Sequence, residues 1–343
     1  MQKILFLVKK ASESGTYTNT SRSGLRNSAK FVKDAINKFD FVEACFEFCI
    51  DGNDVDNKLA KYKPNICIIE ALWITPTKMQ ELSNLHPGVE FIIRIHSKMP
   101  FLAMEGSAIN WIREYSLISN VLISFNNIET SDDFKDIGIS NYYLPNVYQD
   151  IKKPKLNKWW LFRKFTSSGA IKGVYRIGCF GAIRPFKNHL NQAMAAIMFA
   201  ESKDAILRFY VNSGRLEQGG ESVLKNLRGL FKDTEHKLIE LGWYPHEEFI
   251  ELINRMDVCM QVSFTESFNI VSADVVSQLV PLVVSEEIDW ISDNHVDPNN
   301  VRQIAEKIDY VLKYKTAVVE DHLKDLYNYN VYAMNVWFNF LNQ

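Results

Sequence analysis

"DVCMQVSFTESFNIVSADVVSQLVPLVVS", residues 257–285, is the stretch of sequence that decides the fold. Its first part, "DVCMQVSF", is an apolar run typical of a buried strand, "SFNIVSADVVSQL" is helix-like, and "VPLVVS" is a second strand-like run. Strands that alternate with helices imply a mostly parallel sheet covered on both faces. Two acidic residues, Glu266 and Asp274, interrupt this apolar stretch.

The same alternation runs through both halves of the chain. Strand-like runs before Pro145 are "KILFLVK", "FVEACFEFCI", "NICIIEALW", "VEFIIRIHS", "NVLISFN" and "NYYLPN", and "SGLRNSAKFVKDAINKF" is an amphipathic helix. A segment with no clear period follows, and the alternation restarts at "YRIGCFGAI". We therefore predict an α/β fold with two doubly wound, Rossmann-like domains. The predicted parts are domains at 1–150 and 174–315, a connector at 151–173, and C-terminal helices at 316–343 that pack back on the N-terminal domain.

Composition excludes several classes of protein. The 343 residues suit two domains, and a hydrophobic content of 47% argues against disorder. The net charge of −2 gives no overall electrostatic argument for a polyanionic partner. The five cysteines include no C-x-x-C pair and are interpreted as buried, reduced thiols. The first ten residues hold too short an apolar run for a signal peptide, so we expect a soluble, cytoplasmic protein.

Residues that directly follow strands are the candidates for a site, because ligands of such sheets bind beyond the carboxyl ends of the strands. Arg184 and Lys187 follow "YRIGCFGAI" and stand at the start of the next predicted helix. Two cations beside a helix N-terminus favour an anion, most naturally a phosphate or diphosphate. The alternative is that both cations are solvated on the surface.

Glu266 stands in the predicted strand-to-helix turn, and Asp274 lies about two turns into the helix. A nucleotide sugar laid across this helix N-terminus would place its diphosphate on backbone amides, its sugar hydroxyls at Glu266 and its ribose at Asp274. The amides belong to Ser267, Phe268, Asn269 and Ile270. The alternative is that Glu266 caps the helix and Asp274 is a buried acid paired with a cation.

Together these segments resemble the retaining glycosyltransferases with the GT-B fold. "ESFN" and "ADVVSQLVPLVVS" match the family's two acids with seven residues between them. "GAIRPFKN" is similar to its "G-R-L-x-x-x-K-N". "LGWYPHEEFIELINRMDVCM" and "YLPN" match two further family patterns. The resemblance is specific over residues 174–312 and weak before 140. It departs from the family at Asp274, at Leu279 and at "EEIDW", where the family has Glu, Gly and glycines.

The resemblance implies a hexosyl- or pentosyltransferase that takes a UDP- or GDP-sugar on the C-terminal domain. The acceptor would bind the N-terminal domain, and the sugar would be transferred in the cleft between the domains with retention of configuration. Arg184 and Lys187 would neutralise the leaving diphosphate, so that no metal or other cofactor is required.

The N-terminal domain offers residues for the acceptor side of such a cleft. His96 and Ser97 follow the strand in "VEFIIRIHS", and Ser23 and Gly24 end the loop "SESGTYTNTSRSG". His96 could orient an acceptor hydroxyl or take its proton, or it could be a packed histidine that holds a backbone carbonyl. The loop lacks G-x-G-x-x-G, which counts against a hydride-transfer enzyme.

Positive charge is concentrated around the connector. Residues 151–200 hold ten of the 39 Lys and Arg residues and no Asp or Glu. The cations and aromatic rings of "KKPKLNKWWLFRKF" could contact DNA or anionic lipid, or they could pack between the domains. The DNA alternative follows from a resemblance to bacteriophage enzymes that glycosylate hydroxymethylated bases in DNA. The residues predicted to contact DNA or a membrane are Lys152, Lys153, Lys155, Lys158, Trp159, Trp160, Arg163 and Lys164.

Several functions therefore remain open at this point. The acceptor is either a glycoconjugate or lipid-linked sugar, or a hydroxymethylated base in DNA. A catalytically degenerate protein that binds nucleotide sugars or serves as a structural partner is the main alternative, suggested by Asp274 and Leu279. A two-domain binding protein would commonly carry an export signal, and an epimerase would need further acid and base residues.

Overall fold

The computed structural model describes residues 1–10, 24–148 and 173–343. The chain divides into two units. The first unit is Met1–Asp150 together with Asn330–Gln343, and the second is Ile151–Tyr329. The first unit is therefore assembled from both ends of the chain.

Six parallel strands form the sheet of the first unit, in the order β2-β1-β3-β4-β5-β6. They are β1 Gln2–Lys9, β2 Val42–Cys49, β3 Ile66–Glu70, β4 Glu90–Ile95, β5 Val121–Phe125 and β6 Tyr142–Tyr143. The residues of β3 are all buried, as are the central five of β1, because helices cover both faces of a parallel sheet. The helices are α1 Gly24–Ile36, α2 Gly52–Tyr62, α3 Pro76–Leu85, α4 Met99–Leu102, α5 Ala108–Tyr115 and α6 Ile128–Asp136.

A second sheet of six parallel strands forms the second unit, in the order β12-β11-β10-β7-β8-β9. They are β7 Val174–Ile183, β8 Ile206–Leu216, β9 Lys237–Glu240, β10 Val258–Gln261, β11 Leu282–Ser285 and β12 His295–Val296. The helices are α7 His189–Ser202, α8 Gly220–Phe231, α9 His246–Ile253, α10 Ile270–Ser277, α11 Val301–Lys313 and α12 Lys315–Leu341. Within the described residues, no helix is long and apolar enough to cross a membrane.

The strand order of each sheet locates the crevice in which a ligand is expected. In the second unit the chain builds β7, β8 and β9 in one direction and then returns to place β10 on the other side of β7. The carboxyl ends of β7 and β10 therefore flank the switch point of that sheet. In the first unit the corresponding switch lies between β1 and β3.

Helix α10 begins later than the sequence predicts. The helix was expected from Ser267, whereas its first residue is Ile270. Asn269 takes a left-handed conformation with φ 56°, and its side chain accepts a hydrogen bond from the Ser272 amide. An asparagine tolerates this conformation and caps a helix well, so the helix cannot begin before it.

The C-terminal helix contributes to the core of the first unit. Trp337 is fully buried, and its Nε1 donates to the Pro145 carbonyl at 2.9 Å. The Tyr148 amide donates to Asn330 Oδ1 at 2.9 Å. These contacts fasten the end of the chain to the segment that follows β6.

Candidate functional site

Lys187 is folded back over the carboxyl end of β7. The chain leaves β7 through Arg184 and makes one 3-10 turn, Pro185–Lys187. The turn ends at Asn188, whose side chain donates to the Val262 carbonyl at 3.1 Å. Gly181 has φ 110°, and a Cβ there would approach Lys187 Cε to 3.5 Å. Glycine suits this backbone angle, and the Lys187 side chain packs against it, where only 7% of the residue is exposed.

Glu266 meets both predicted cations at the switch point. Its side chain is 9% exposed, and its Oε1 forms an ion pair with Lys187 Nζ. Arg184 Nη2 lies 3.7 Å from the same oxygen. Lys187 Nζ also lies 3.3 Å from Gln261 Oε1. The structure thus brings together the three side chains that were predicted to bind the donor's diphosphate and sugar.

Further charges extend this cluster across β8. Arg184 Nη1 donates to Glu217 Oε2 at 3.2 Å, and Arg215 Nε donates to Glu217 Oε1 at 2.6 Å. Three cations, Arg184, Lys187 and Arg215, thus meet the carboxylates of Glu217 and Glu266. Arg184 and Lys187 offer an anion cationic partners at the end of β7.

Burial lowers the pKa values of two basic side chains at the site, Lys187 and His189. Desolvation lowers the pKa of Lys187, while the adjacent Glu266 carboxylate opposes that change. Desolvation, with Lys187 and Arg184 nearby, lowers the pKa of His189 to about 3. His189 is the first residue of α7 and is buried. Its imidazole is therefore neutral at physiological pH and adds no charge to the site.

The predicted amide donors lie in the turn before α10. Phe268 is buried, stacks on Tyr329 and accepts a hydrogen bond at its carbonyl from Trp290 Nε1 at 2.7 Å. Ser267 and Asn269 flank it, and Ile270 opens the helix. The Glu266 amide already donates to Glu287 Oε2 at 3.2 Å. A carboxylate of the chain itself thus binds one amide of this turn.

Asp274 is 2% exposed, and a histidine covers it. His246 Nε2 lies 2.7 Å from Asp274 Oδ1. His246 is the first residue of α9, which follows β9, so this contact joins the segment after β9 to the site. The geometry agrees with the alternative that Asp274 is a buried acid with a basic partner.

His96 directly follows β4, as predicted, and both of its ring nitrogens are hydrogen-bonded. Nε2 is bound to the Glu70 carboxylate, and Nδ1 lies 3.2 Å from Asn126 Nδ2. The carboxylate accepts a hydrogen bond from Nε2–H, so Nδ1 accepts one from the amide of Asn126. The side chain is 15% exposed, and burial lowers its pKa, with Glu70 opposing and Arg94 adding to the change.

A buried arginine holds Glu70 beneath His96. Arg94 Nη1 lies 3.1 Å from Glu70 Oε2, and Arg94 Nε donates to the Leu144 carbonyl at 3.0 Å. Arg94 Nη2 donates to Asn146 Oδ1 at 2.6 Å, and the guanidinium lies over the Trp337 ring. Burial opposes ionisation of Glu70, but Arg94 and His96 outweigh it and its pKa is lowered. Leu144 and Asn146 belong to "YLPN", so this motif supports the His96 dyad.

The remaining predicted residues are more scattered. Gly24 begins α1, and Ser97 Oγ donates to Glu105 Oε1 at 3.4 Å. Ser23 and the eight basic and aromatic residues of the connector lie outside the described residues. Among the described residues, no group of three or more His, Cys, Asp or Glu could hold a metal ion.

Sequence reasoning missed Glu217, His246 and Glu287. Glu217 directly follows β8, His246 lies beyond β9, and Glu287 is the second residue after β11. Extending the search for polar residues after strands to every strand of the second unit would have found them.

No protein-family model matches the chain, and a comparison with curated proteins finds no match. Solved structures do match over its whole length. The Anabaena protein HepE, solved in complex with UDP and glucose, has a TM-score of 0.65 at 14% identity, covering 100% of both chains. Sucrose-phosphate synthase from Thermosynechococcus elongatus has a TM-score of 0.68 at 11% identity, covering 100% of this chain and 98% of that chain. The α,α-trehalose 6-phosphate synthase from Burkholderia multivorans has a TM-score of 0.63 at 13% identity, covering 99% and 95%.

These similarities confirm the predicted fold. The chain has the GT-B fold of nucleotide-sugar glycosyltransferases, with two doubly wound Rossmann-like units. At identities this low, the likeness establishes the fold and nothing finer.

Proposed function

We propose that the protein is a glycosyltransferase that moves a sugar from a UDP- or GDP-sugar to an acceptor hydroxyl, with retention and without a metal. The observation that carries this proposal is the contact of Arg184 and Lys187 with Glu266 at the switch point of the second sheet. Cations and a carboxylate side by side suit a ligand that is anionic at one end and rich in hydroxyls at the other.

The cations take the charge of the leaving group in this proposal. The bond between the anomeric carbon and the diphosphate oxygen breaks, and negative charge grows on the diphosphate. Lys187 is buried and Arg184 partly buried, so both are held in place and stabilise that charge once Lys187 releases Glu266. The diphosphate displaces Glu266 from Lys187, which frees its carboxylate to accept hydrogen bonds from sugar hydroxyls.

His96 is proposed to act on the acceptor. The acceptor oxygen forms the new bond to the anomeric carbon, and its proton leaves either with the diphosphate or on His96. To receive that proton, His96 Nδ1 must give up its hydrogen bond from Asn126 and accept one from the acceptor hydroxyl instead. Glu70 holds Nε2 meanwhile, which fixes the tautomer that leaves Nδ1 as the acceptor.

A degenerate, sugar-nucleotide-binding protein is the second candidate. The short Asp274 carboxylate is covered by His246, and Glu287 binds the amide of Glu266. Both contacts lie where the proposal puts the ribose and the sugar, so a donor has to rearrange them. Binding of a nucleotide sugar without hydrolysis or transfer would favour this candidate.

A panel of donors and acceptors tests the proposal. The purified protein is incubated with UDP- and GDP-sugars and with oligosaccharides, lipid-linked sugars or hydroxymethylated duplex DNA, and products are detected by mass. Transfer by the wild type and its loss in Glu266→Ala are expected. A folded wild type that binds neither UDP nor GDP would contradict the proposal.

The same panel separates the acceptors. If DNA is the acceptor, salt-sensitive duplex binding is expected, and it should weaken when four lysines of the connector are neutralised, since each phosphate contact releases counterions. The lysines are Lys152, Lys153, Lys155 and Lys158. A protein that ignores duplex DNA at low salt but binds anionic vesicles would favour a lipid-linked acceptor.

A further inference from the structure

The loop after β11 carries a second carboxylate to Glu266. Strands β10 and β11 are parallel neighbours, with Gln261 opposite Val284, so their carboxyl ends open at the same edge of the sheet. Glu287 is the second residue after β11, and its Oε2 accepts from the Glu266 amide at 3.2 Å. The family that the chain resembles has glycines in this loop, so the carboxylate is a property of this chain.

Buried neighbours hold this loop in place. Ile288 and Ile291 on either side of Trp290 are fully buried. Trp290 Nε1 donates to the Phe268 carbonyl, which ties the loop to the turn before α10. Glu287 is thus placed by the packing of its neighbours, and a ligand cannot push the loop aside without exposing them.

Charge is therefore separated along the edge of the sheet. The cations Arg184 and Lys187 follow β7, the carboxylate of Glu266 follows β10, and that of Glu287 follows β11. Since β10 lies between β7 and β11, the sign of the charge changes from one side of the edge to the other. A ligand whose diphosphate lies on the cations has its sugar beside the two carboxylates.

We infer that Glu287 determines which donor sugars are accepted, and that it excludes those with a carboxylate of their own. This inference rests on the proposed function. The hydroxyls of a neutral hexose donate hydrogen bonds to Glu287 and Glu266, and the ammonium group of an amino sugar forms an ion pair with them. A uronic acid brings a third carboxylate to a half-buried, acidic edge, where like charges repel strongly.

Calorimetry with UDP, UDP-glucose and UDP-glucuronate tests the inference, with GDP, GDP-mannose and GDP-mannuronate as the parallel set. We expect the wild type to bind the neutral sugar nucleotide at least about tenfold more tightly than the acidic one, the scale of one like-charge contact. Glu287→Gln keeps an oxygen for the Glu266 amide and removes the charge, so it should reduce that ratio about fivefold or more. Glu286→Gln is the matched control, because Glu286 is exposed in the same loop and should keep the ratio.

The outcomes separate this inference from the proposed function. If UDP or GDP binds and the wild type takes neutral and acidic sugars equally well, the inference is wrong and the proposed function stands. If neither nucleoside diphosphate binds, both are wrong. If Glu287→Gln folds and keeps the wild-type ratio, Glu287 does not determine the selectivity and the inference is wrong.

Discussion

Replacing Lys187 by Met should abolish most of the activity while leaving the fold intact. The substitution removes a cation that is 7% exposed and keeps a side chain of similar length. At an effective dielectric constant near 20, a unit charge about 4 Å from the ammonium interacts by about 4 kcal/mol. Lys187 must release Glu266 to make that contact, so the net loss is smaller. We expect turnover to fall by about two to three orders of magnitude, as when one transition-state stabiliser is removed.

The assay compares kcat and kcat/KM for donor hydrolysis or transfer, with UDP binding measured by calorimetry. Lys225→Met is the matched control, since Lys225 is exposed on α8 and the same chemical change there should have no effect. Lys187→Arg keeps the charge and should retain more activity than Lys187→Met. Circular dichroism and thermal unfolding establish that each variant is folded. A folded Lys187→Met enzyme with turnover within threefold of wild type would refute the assignment of the diphosphate site.

Three further predictions concern other parts of the molecule. His96→Ala should leave UDP affinity unchanged in calorimetry while slowing transfer, and loss of UDP binding with normal transfer would contradict the acceptor role. Because the folded-state pKa of His189 lies at about 3, below its ordinary value, its contribution to stability is complete above pH 6.5 and declines as the pH falls toward 3. Between pH 8 and pH 5 the buried histidine should lower the free energy of unfolding of the wild type by about 2 kcal/mol. Urea unfolding of His189→Gln should therefore depend less on pH than that of the wild type. Equal pH dependence of the two proteins would show the reasoning to be wrong. EDTA should leave activity unchanged, since side-chain cations take the metal's role in the proposal, and complete loss of turnover in the chelator would overturn it.

The strand pattern was sufficient to predict the fold, because buried parallel strands are nearly continuous apolar runs that few other structures produce. The position of the cation pair was also predictable. Arg184 and Lys187 follow β7 directly, and strand ends are where α/β sheets bind ligands. Local sequence thus located the positive side of the site.

Contacts between distant segments could not be predicted in the same way. The covering of Asp274 by His246 joins residues 28 positions apart, and the bond from Glu266 to Glu287 joins residues 21 positions apart. The first depends on how α9 packs beside α10, and the second on β10 and β11 being neighbours, which is a property of the folded sheet. The predicted start of α10 was also wrong, because it depends on the left-handed backbone conformation of Asn269, which the residue type alone does not determine.

The way Trp337 closes the first unit has a consequence for synthesis of the protein on the ribosome. This unit needs the last 14 residues of the chain, Asn330–Gln343, and Trp337 covers the buried Arg94 guanidinium with its ring. The second unit is continuous in the chain and is synthesised in full before that helix end emerges. Domains generally fold as units in the order in which they are made. Here the half that is translated first is completed last, because its central ion pair lacks its aromatic cover until Asn330–Gln343 has been made.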